Sequence, residues 1–235
     1  MSNNEIIENE DQNDYIEQED NSPSGMSLMV DKIKNWVNTQ NKTVVIAVSA
    51  VLLAGIGFSA YYFLYKAPRE KEAMVAIYPV QELFDTDSFR MVLKDGPKLA
   101  EKYNGTKAGE LCAYMSGMSY LNTGNYKKAL DFLQSVDFDD AVMNSQATGN
   151  IGDVYVEMKD LDNAIKYYLK AISNSGNDFS TIWWRKKAGR VYEKKNDYQS
   201  ALEQYESIKK NNSEDEAAAD IDKYIAKAKA KLDTY

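Results

Sequence analysis

Residues equipped for covalent or acid–base chemistry are scarce in this chain. Cys112 is the sole cysteine among 235 residues, and there is no histidine. A thiol nucleophile needs a base beside it, and imidazole is the commonest base and metal ligand. Without one, Cys112 reads as a buried structural thiol. No glycine-rich phosphate loop or metal-spaced cluster accompanies it. The acids are spread as on solvated helix faces. What remains is recognition chemistry. Three rows recur at helical steps: Tyr114, Met118 and Asn122; Asp153 and Glu157; Trp183, Lys186, Arg190 and Lys194. Residues so spaced share one helix face, and the rows run from apolar to acidic to basic. The sequence predicts no catalysis, no cofactor and no metal.

The rows lie in three segments that superimpose: GMSYLNTGNYKKALDFLQSV from Gly117, GDVYVEMKDLDNAIKYYLKAI from Gly152 and GRVYEKKNDYQSALEQYESIK from Gly189. In each, glycine is followed three residues on by Tyr120, Tyr155 or Tyr192, and twelve on by Ala129, Ala164 or Ala201. Leu133, Tyr168 or Tyr205 stands four beyond the alanine. Between the halves, Gly124-Asn125-Tyr126, Lys159-Asp160-Leu161 and Asn196-Asp197-Tyr198 offer an Asn or Asp to cap a second helix.

This pattern resembles the tetratricopeptide-repeat (TPR) family, whose unit is an antiparallel helix pair of 34 residues. Departures are the missing proline at each repeat end, and Ala113, Thr148 and Arg185 where the family places tryptophan. The resemblance implies an all-α solenoid in which Gly117, Gly152 and Gly189 of the first helices approach Ala129, Ala164 and Ala201 of the second, with the three tyrosines filling the space between. It also implies that the three rows line a groove formed by the first helices, where another protein would be gripped by aromatic anchors and sorted by charge. The competing reading is an ordinary solvated face, with Trp183 packed on the preceding repeat. The carboxylate-clamp type of TPR is not matched, because Tyr114 and Met118 stand where its polar residues belong.

The repeats are expected at 110–143, 145–178 and 182–215. They are closed at 216–235 by a capping helix with the apolar stripe Ile221, Tyr224, Ile225, Ala228 and Leu232. A solenoid needs such solvating ends. At 69–105 a degenerate helix pair is disturbed by Pro79 and by Gly96-Pro97.

Upstream, 43–65 reads TVVIAVSAVLLAGIGFSAYYFLY with no charge inside. At ~1.5 Å per residue such a helix exceeds the ~30 Å of a bilayer core, and Tyr61, Tyr62, Phe63 and Tyr65 suit a membrane interface. It reads as an uncleaved signal anchor spanning the membrane once. Lys32, Lys34 and Lys42 before it balance Lys66, Arg69 and Lys71 after it, so charge leaves its orientation open. Ala50 and Ala54, or Gly55 and Ser59, form small-xxx-small pairs able to pair two such helices into a homodimer. The juxtamembrane segment 28–42 carries Met29, Ile33, Trp36 and Val37 at helical spacing; it reads either as a short interfacial helix or as an extension of the span.

Residues 1–27 form an acidic tail expected to be disordered, since they hold too little apolar surface to offset ordering. Of 36 acids and 28 bases in the chain, 27 acids and 24 bases lie beyond Lys66. So near-neutral a folded part excludes nucleic acid as a partner.

An N-terminal polar segment, one span and a capped TPR domain together resemble the ancillary subunit of the bacterial Sec translocon. Anchored repeat proteins of Bacteroidetes are similar too, in EKYNGTKAGELCAYMSGMSYLNTGNYKKAL and DIDKYIAKAKAKL. That resemblance implies an inner-membrane protein with a cytoplasmic N-terminus and periplasmic repeats. Its implied partners are the translocon, secretory chains or chaperones, with a translocon-associated or chaperone-like helper role in the envelope. Two alternatives stand: a structural scaffold of an envelope complex, and a cytoplasm-facing adaptor if the orientation is reversed.

Overall fold

The computed structural model describes residues 25–212 and 214–233, and among them every regular element is a helix. The chain divides into two units, Met1–Ser59 and Ala60–Tyr235. The acidic tail expected at 1–27 lies outside the described residues up to residue 24. Gly25, Met26 and Ser27 instead belong to α1 (Gly25–Thr39), which corrects the tail's boundary.

In the first unit α1 is a separate helix. Its end is closed by Thr39, whose hydroxyl donates to the Asn35 and Trp36 carbonyls, and Asn41 then accepts from the Thr43 backbone N–H to open α2 (Lys42–Tyr61). The juxtamembrane segment is therefore not an extension of the apolar helix. Helical structure runs over Lys42–Asp85, one helix long and apolar enough to cross a membrane by length and composition. It does not stop at residue 65. A π-helical turn, Tyr62–Lys66, leads directly into α3 (Ala67–Asp85).

The second unit is a row of hairpins. α3 pairs with α4 (Phe89–Lys102), α5 (Lys107–Asn122) with α6 (Tyr126–Leu133), α7 (Ala141–Glu157) with α8 (Leu161–Ser173), and α9 (Asp178–Lys194) with α10 (Tyr198–Asn212); a 3-10 turn and α11 (Ile221–Leu232) follow. The first helices of the three later pairs begin three or four residues earlier than the sequence suggests. Thr106, Asp140 and Asn177 lie there, and each accepts a hydrogen bond from the backbone N–H three residues on. Pro79 and Pro97 lie inside α3 and α4 without ending them.

The turn within each hairpin is built alike. Asp87, Gly124, Lys159 and Asn196 all have positive φ, and the next residue's N–H bonds back five positions to Leu83, Tyr120, Tyr155 or Tyr192. This is the Schellman closure of a helix followed by a cap for the next one. α3–α4 shares the closure but Ser88 gives α4 no side-chain cap, so that pair is a degenerate copy of the same unit. There the glycine sits in the second helix: Gly117, Gly152 and Gly189 face Leu133, Tyr168 and Tyr205 across their hairpins, while a Cβ on Gly96 would stand 2.8 Å from Ser116 Oγ of α5 and in ordinary contact with Val80 Cγ1 at 3.5 Å.

The side chain met by each later glycine corrects the expected packing. A methyl on Gly152 would approach Tyr168 at 2.7 Å and the Ala164 carbonyl oxygen at 3.2 Å, and one on Gly189 would approach Tyr205 at 2.4 Å; the ring comes nearest, with the alanine backbone beside it at Gly152. Ala129, Ala164 and Ala201 are fully buried nearby. Tyr120, Tyr155 and Tyr192 are half-buried; Tyr120 packs on Phe132, Tyr155 stacks on Tyr167, and Tyr192 lies against two of the core clusters. Glu70 ties α3 to the next pair by accepting from the Lys107 and Ala108 backbone N–H groups, both at 2.9 Å, where a carboxylate complements the start of α5.

Candidate protein-binding face

The first helices α5, α7 and α9 stand next to one another, so their outward rows form one face. At its α5 side the row is absorbed into packing. Tyr114 is half-buried against Phe138, and its hydroxyl accepts from Asn150 Nδ2 at 2.9 Å; burial raises its pKa. Met118 packs on the cluster of Ala129, Leu133, Ile151 and Val154. Asn122 is exposed and bonds the Met118 carbonyl of its own helix.

On α7, Asp153 faces inward as much as outward. Its carboxylate accepts from Tyr168 Oη at 2.5 Å and pairs with Lys187 Nζ at 2.6 Å. Burial, and then the charge of Asp153, push the Tyr168 phenol far above its ordinary range. Lys187 was not among the residues picked from the sequence. Its ammonium also lies 5.3 Å from the Trp183 ring and 5.1 Å from that of Trp184. Together Asn122, Asp153, Glu157 and Lys187, with Gly124 and Tyr126, line one shallow cavity that bridges α5, α7 and α9.

On α9 two of the four predicted residues are committed elsewhere. Lys186 donates to the Ala217 carbonyl at 2.6 Å and pairs with Asp220, whose carboxyl it holds below the usual range. Arg190 donates to Tyr224 Oη at 2.6 Å and lies over that ring. These cations hold the C-terminal cap and are not the open basic end of a groove. Lys194 is exposed, as are Trp183 at 48% and Phe179 at 61%. Phe179, one turn before Trp183, was missed although its i, i+4 spacing to Trp183 was readable.

The commitments follow a rule. Asp153 to Lys187, Lys186 to Asp220, Arg190 to Tyr224 and Glu193 to Lys227 each join residues 34 apart. Each bond crosses from one first helix to the next, or from α9 to α11 and the residue before it. Opposite charges one period apart were the signal that could have revealed Lys187 and the loss of Lys186.

A helix–turn–helix unit with a shared left-handed turn recurs along the second unit. Two stretches of it carry tetratricopeptide repeats. Tetratricopeptide-repeat profiles match residues 112–136 and 143–209. Among solved structures, near-identical TPR-like repeats of a kinesin light chain from Podosopora anserina share 10% identity over 71% of this chain and 86% of theirs, with a TM-score of 0.54. The crystal structure of MamA shares 17% identity over 66% of this chain and 95% of that one, at a TM-score of 0.48. No curated protein matches the sequence. Tetratricopeptide repeats imply a module for protein–protein interaction.

Cys112 takes no part in the TPR face. It is fully buried, its thiol donates to the Gly96 carbonyl at 3.3 Å, and burial raises its pKa to about 11.

Proposed function

We propose that the chain is a membrane-anchored TPR helper of the bacterial envelope. In this reading the helix within Lys42–Asp85 spans the inner membrane, the N-terminus is cytoplasmic, and the repeats engage translocon components or emerging secretory chains in the periplasm without catalysing a reaction. The observation that carries it is the pair of solvent-facing aromatics, Phe179 and Trp183, on the face shared by three first helices, with Asn122, Glu157 and Lys194 left for polar contacts. Such a face offers apolar grip with little charge discrimination, which suits varied extended chains more than one cognate surface.

The test joins topology to contact. With Cys112 replaced by Ala, a single cysteine at Asn211 is exposed to an impermeant thiol reagent in intact cells with a permeabilised outer membrane; labelling is expected, and protection until lysis refutes the periplasmic assignment. A photocrosslinker at Trp183 is expected to capture many secretory chains in a synthesis-dependent manner. Capture of one stoichiometric protein instead favours an envelope scaffold, and capture of cytoplasmic proteins favours an inward-facing adaptor.

A further inference from the structure

The most distinctive surface outside the repeats is α1. At about 100° per residue, Met26, Met29, Val30, Ile33, Trp36 and Val37 fall within an arc of about 120°. All six are exposed, and α1 has no buried residue. Lys32 and Lys34 lie about 40° beyond opposite edges of that arc, while Asp31 and Asn35 sit near the opposite pole. Leu28 is the one apolar side chain on the polar side.

We propose that α1 is an interfacial membrane helix, its Met29–Ile33–Trp36 face among lipid acyl chains and its two lysines reaching up to the headgroups. The proposal rests on the reading that the following apolar helix spans the bilayer. Three observations favour lipid over a partner protein. Lysines flank both edges of the apolar arc, the arrangement in which long stems lie along hydrocarbon while their ammonium groups stay at phosphate level. The indole of Trp36 suits the same depth. Only Gln40 and Asn41 separate α1 from α2, so one end of α1 is delivered to the membrane surface by the chain itself. Tethering of this kind lets weak lipid contact suffice.

The test uses the full chain in vesicles of phosphatidylcholine and phosphatidylglycerol. A fluorophore is attached to a cysteine at Met29→Cys or, on the opposite face, at Asn35→Cys; Cys112 is buried and stays unlabelled. Quenching by lipids carrying a nitroxide on the acyl chain is expected to be severalfold stronger at position 29 than at 35. Ile33→Asp combined with Trp36→Asp should abolish the difference while the protein still floats with the vesicles. Equal quenching in a protein that floats overturns the assignment of α1 and leaves the spanning helix intact. A protein that fails to float overturns both. Shielding of position 29 that appears only when membrane proteins are added overturns it in favour of a protein partner.

Discussion

Gly189→Ala is the sharpest probe of how the hairpins close. The new methyl would stand 2.4 Å from Tyr205 Cε1 and 2.6 Å from Cζ. Ordinary carbon contacts need about 3.5 Å, so the ring has to retreat by about 1 Å. It has nowhere easy to go: Tyr205 is fully buried, packs on Tyr224 at 5.3 Å and bonds Glu193 through its hydroxyl at 3.2 Å. Overpacking of this sort costs about 3 kcal/mol at the upper end of its usual range. Alanine returns about 1 kcal/mol of helix propensity, leaving a net loss of about 2 kcal/mol. In a folded unit of this size that lowers Tm by roughly 4–8 °C. The full chain in detergent micelles would be followed by far-UV circular dichroism against temperature and urea. Gly57→Ala, with nothing within 4 Å, is the control. Tyr205→Ala, which removes the ring the new methyl meets, should make the second alanine far less costly, with a coupling of about 1 kcal/mol or more. A neutral or stabilising Gly189→Ala would refute the close approach.

Other consequences follow from the same contacts. Lys187→Met leaves the half-buried Asp153 with Tyr168 alone and should cost about 1–3 kcal/mol, read as a lower urea midpoint; Asp153→Asn should restore part of it. Glu70→Ala removes the acceptor of two α5 N–H groups and should cost about 1 kcal/mol, visible as faster amide exchange at Lys107 and Ala108. For pH, Lys186 depresses the Asp220 carboxyl, Asn163 that of Asp160, and Tyr103 with Lys102 that of Glu72. Depressed values mean stabilisation complete above the ordinary carboxylate range and lost as pH falls through the lowered values. With no histidine, the urea midpoint should be flat between about pH 5 and pH 8 and fall below about pH 4; a midpoint that rises on acidification would contradict these pairings.

How much of this was legible in the sequence depends on whether a local residue type or a distant partner set the outcome. The turns were readable because Gly124, Lys159 and Asn196 precede Asn125, Asp160 and Asp197, and left-handed conformation plus capping needs little else. The first hairpin looked degenerate because its glycine lies in the second helix, where Gly96 lets Ser116 of the next pair come close; a search for glycine in a fixed place of the first helix misses it. The run beyond residue 65 was missed because the apolar stretch stops at Lys66, whereas the backbone passes through a π-helical turn straight into α3. For the face, helical phase grouped residues that share one side of α5, α7 and α9. It could not say that Lys186 and Arg190 are drawn to Asp220 and Tyr224, since that depends on where α11 and the residue before it are placed.

Those internal bonds set the character of any partner site. With Asp153, Lys187, Lys186 and Arg190 engaged within the solenoid, a ligand meets mainly the exposed parts of Phe179 and Trp183 and a few polar groups. Burying the remaining exposed half of one such ring is worth about 1 kcal/mol, and association costs several kcal/mol before any gain appears. A single segment held there binds in the micromolar range or more weakly, about 8 kcal/mol at most. That is short occupancy, as a helper passing chains onward requires, whereas a permanent scaffold would need a larger dry interface. Trp183→Ala separates the two. Since Trp183 is 48% exposed, its loss should move the urea midpoint only slightly, through the Lys187 contact at 5.3 Å. Crosslinking from a probe at Phe179 to extended chains should fall about tenfold, the equivalent of roughly 1.4 kcal/mol. Unchanged crosslinking with an unchanged midpoint would remove Trp183 from the binding face and, with it, the argument that this face selects its partners by aromatic grip.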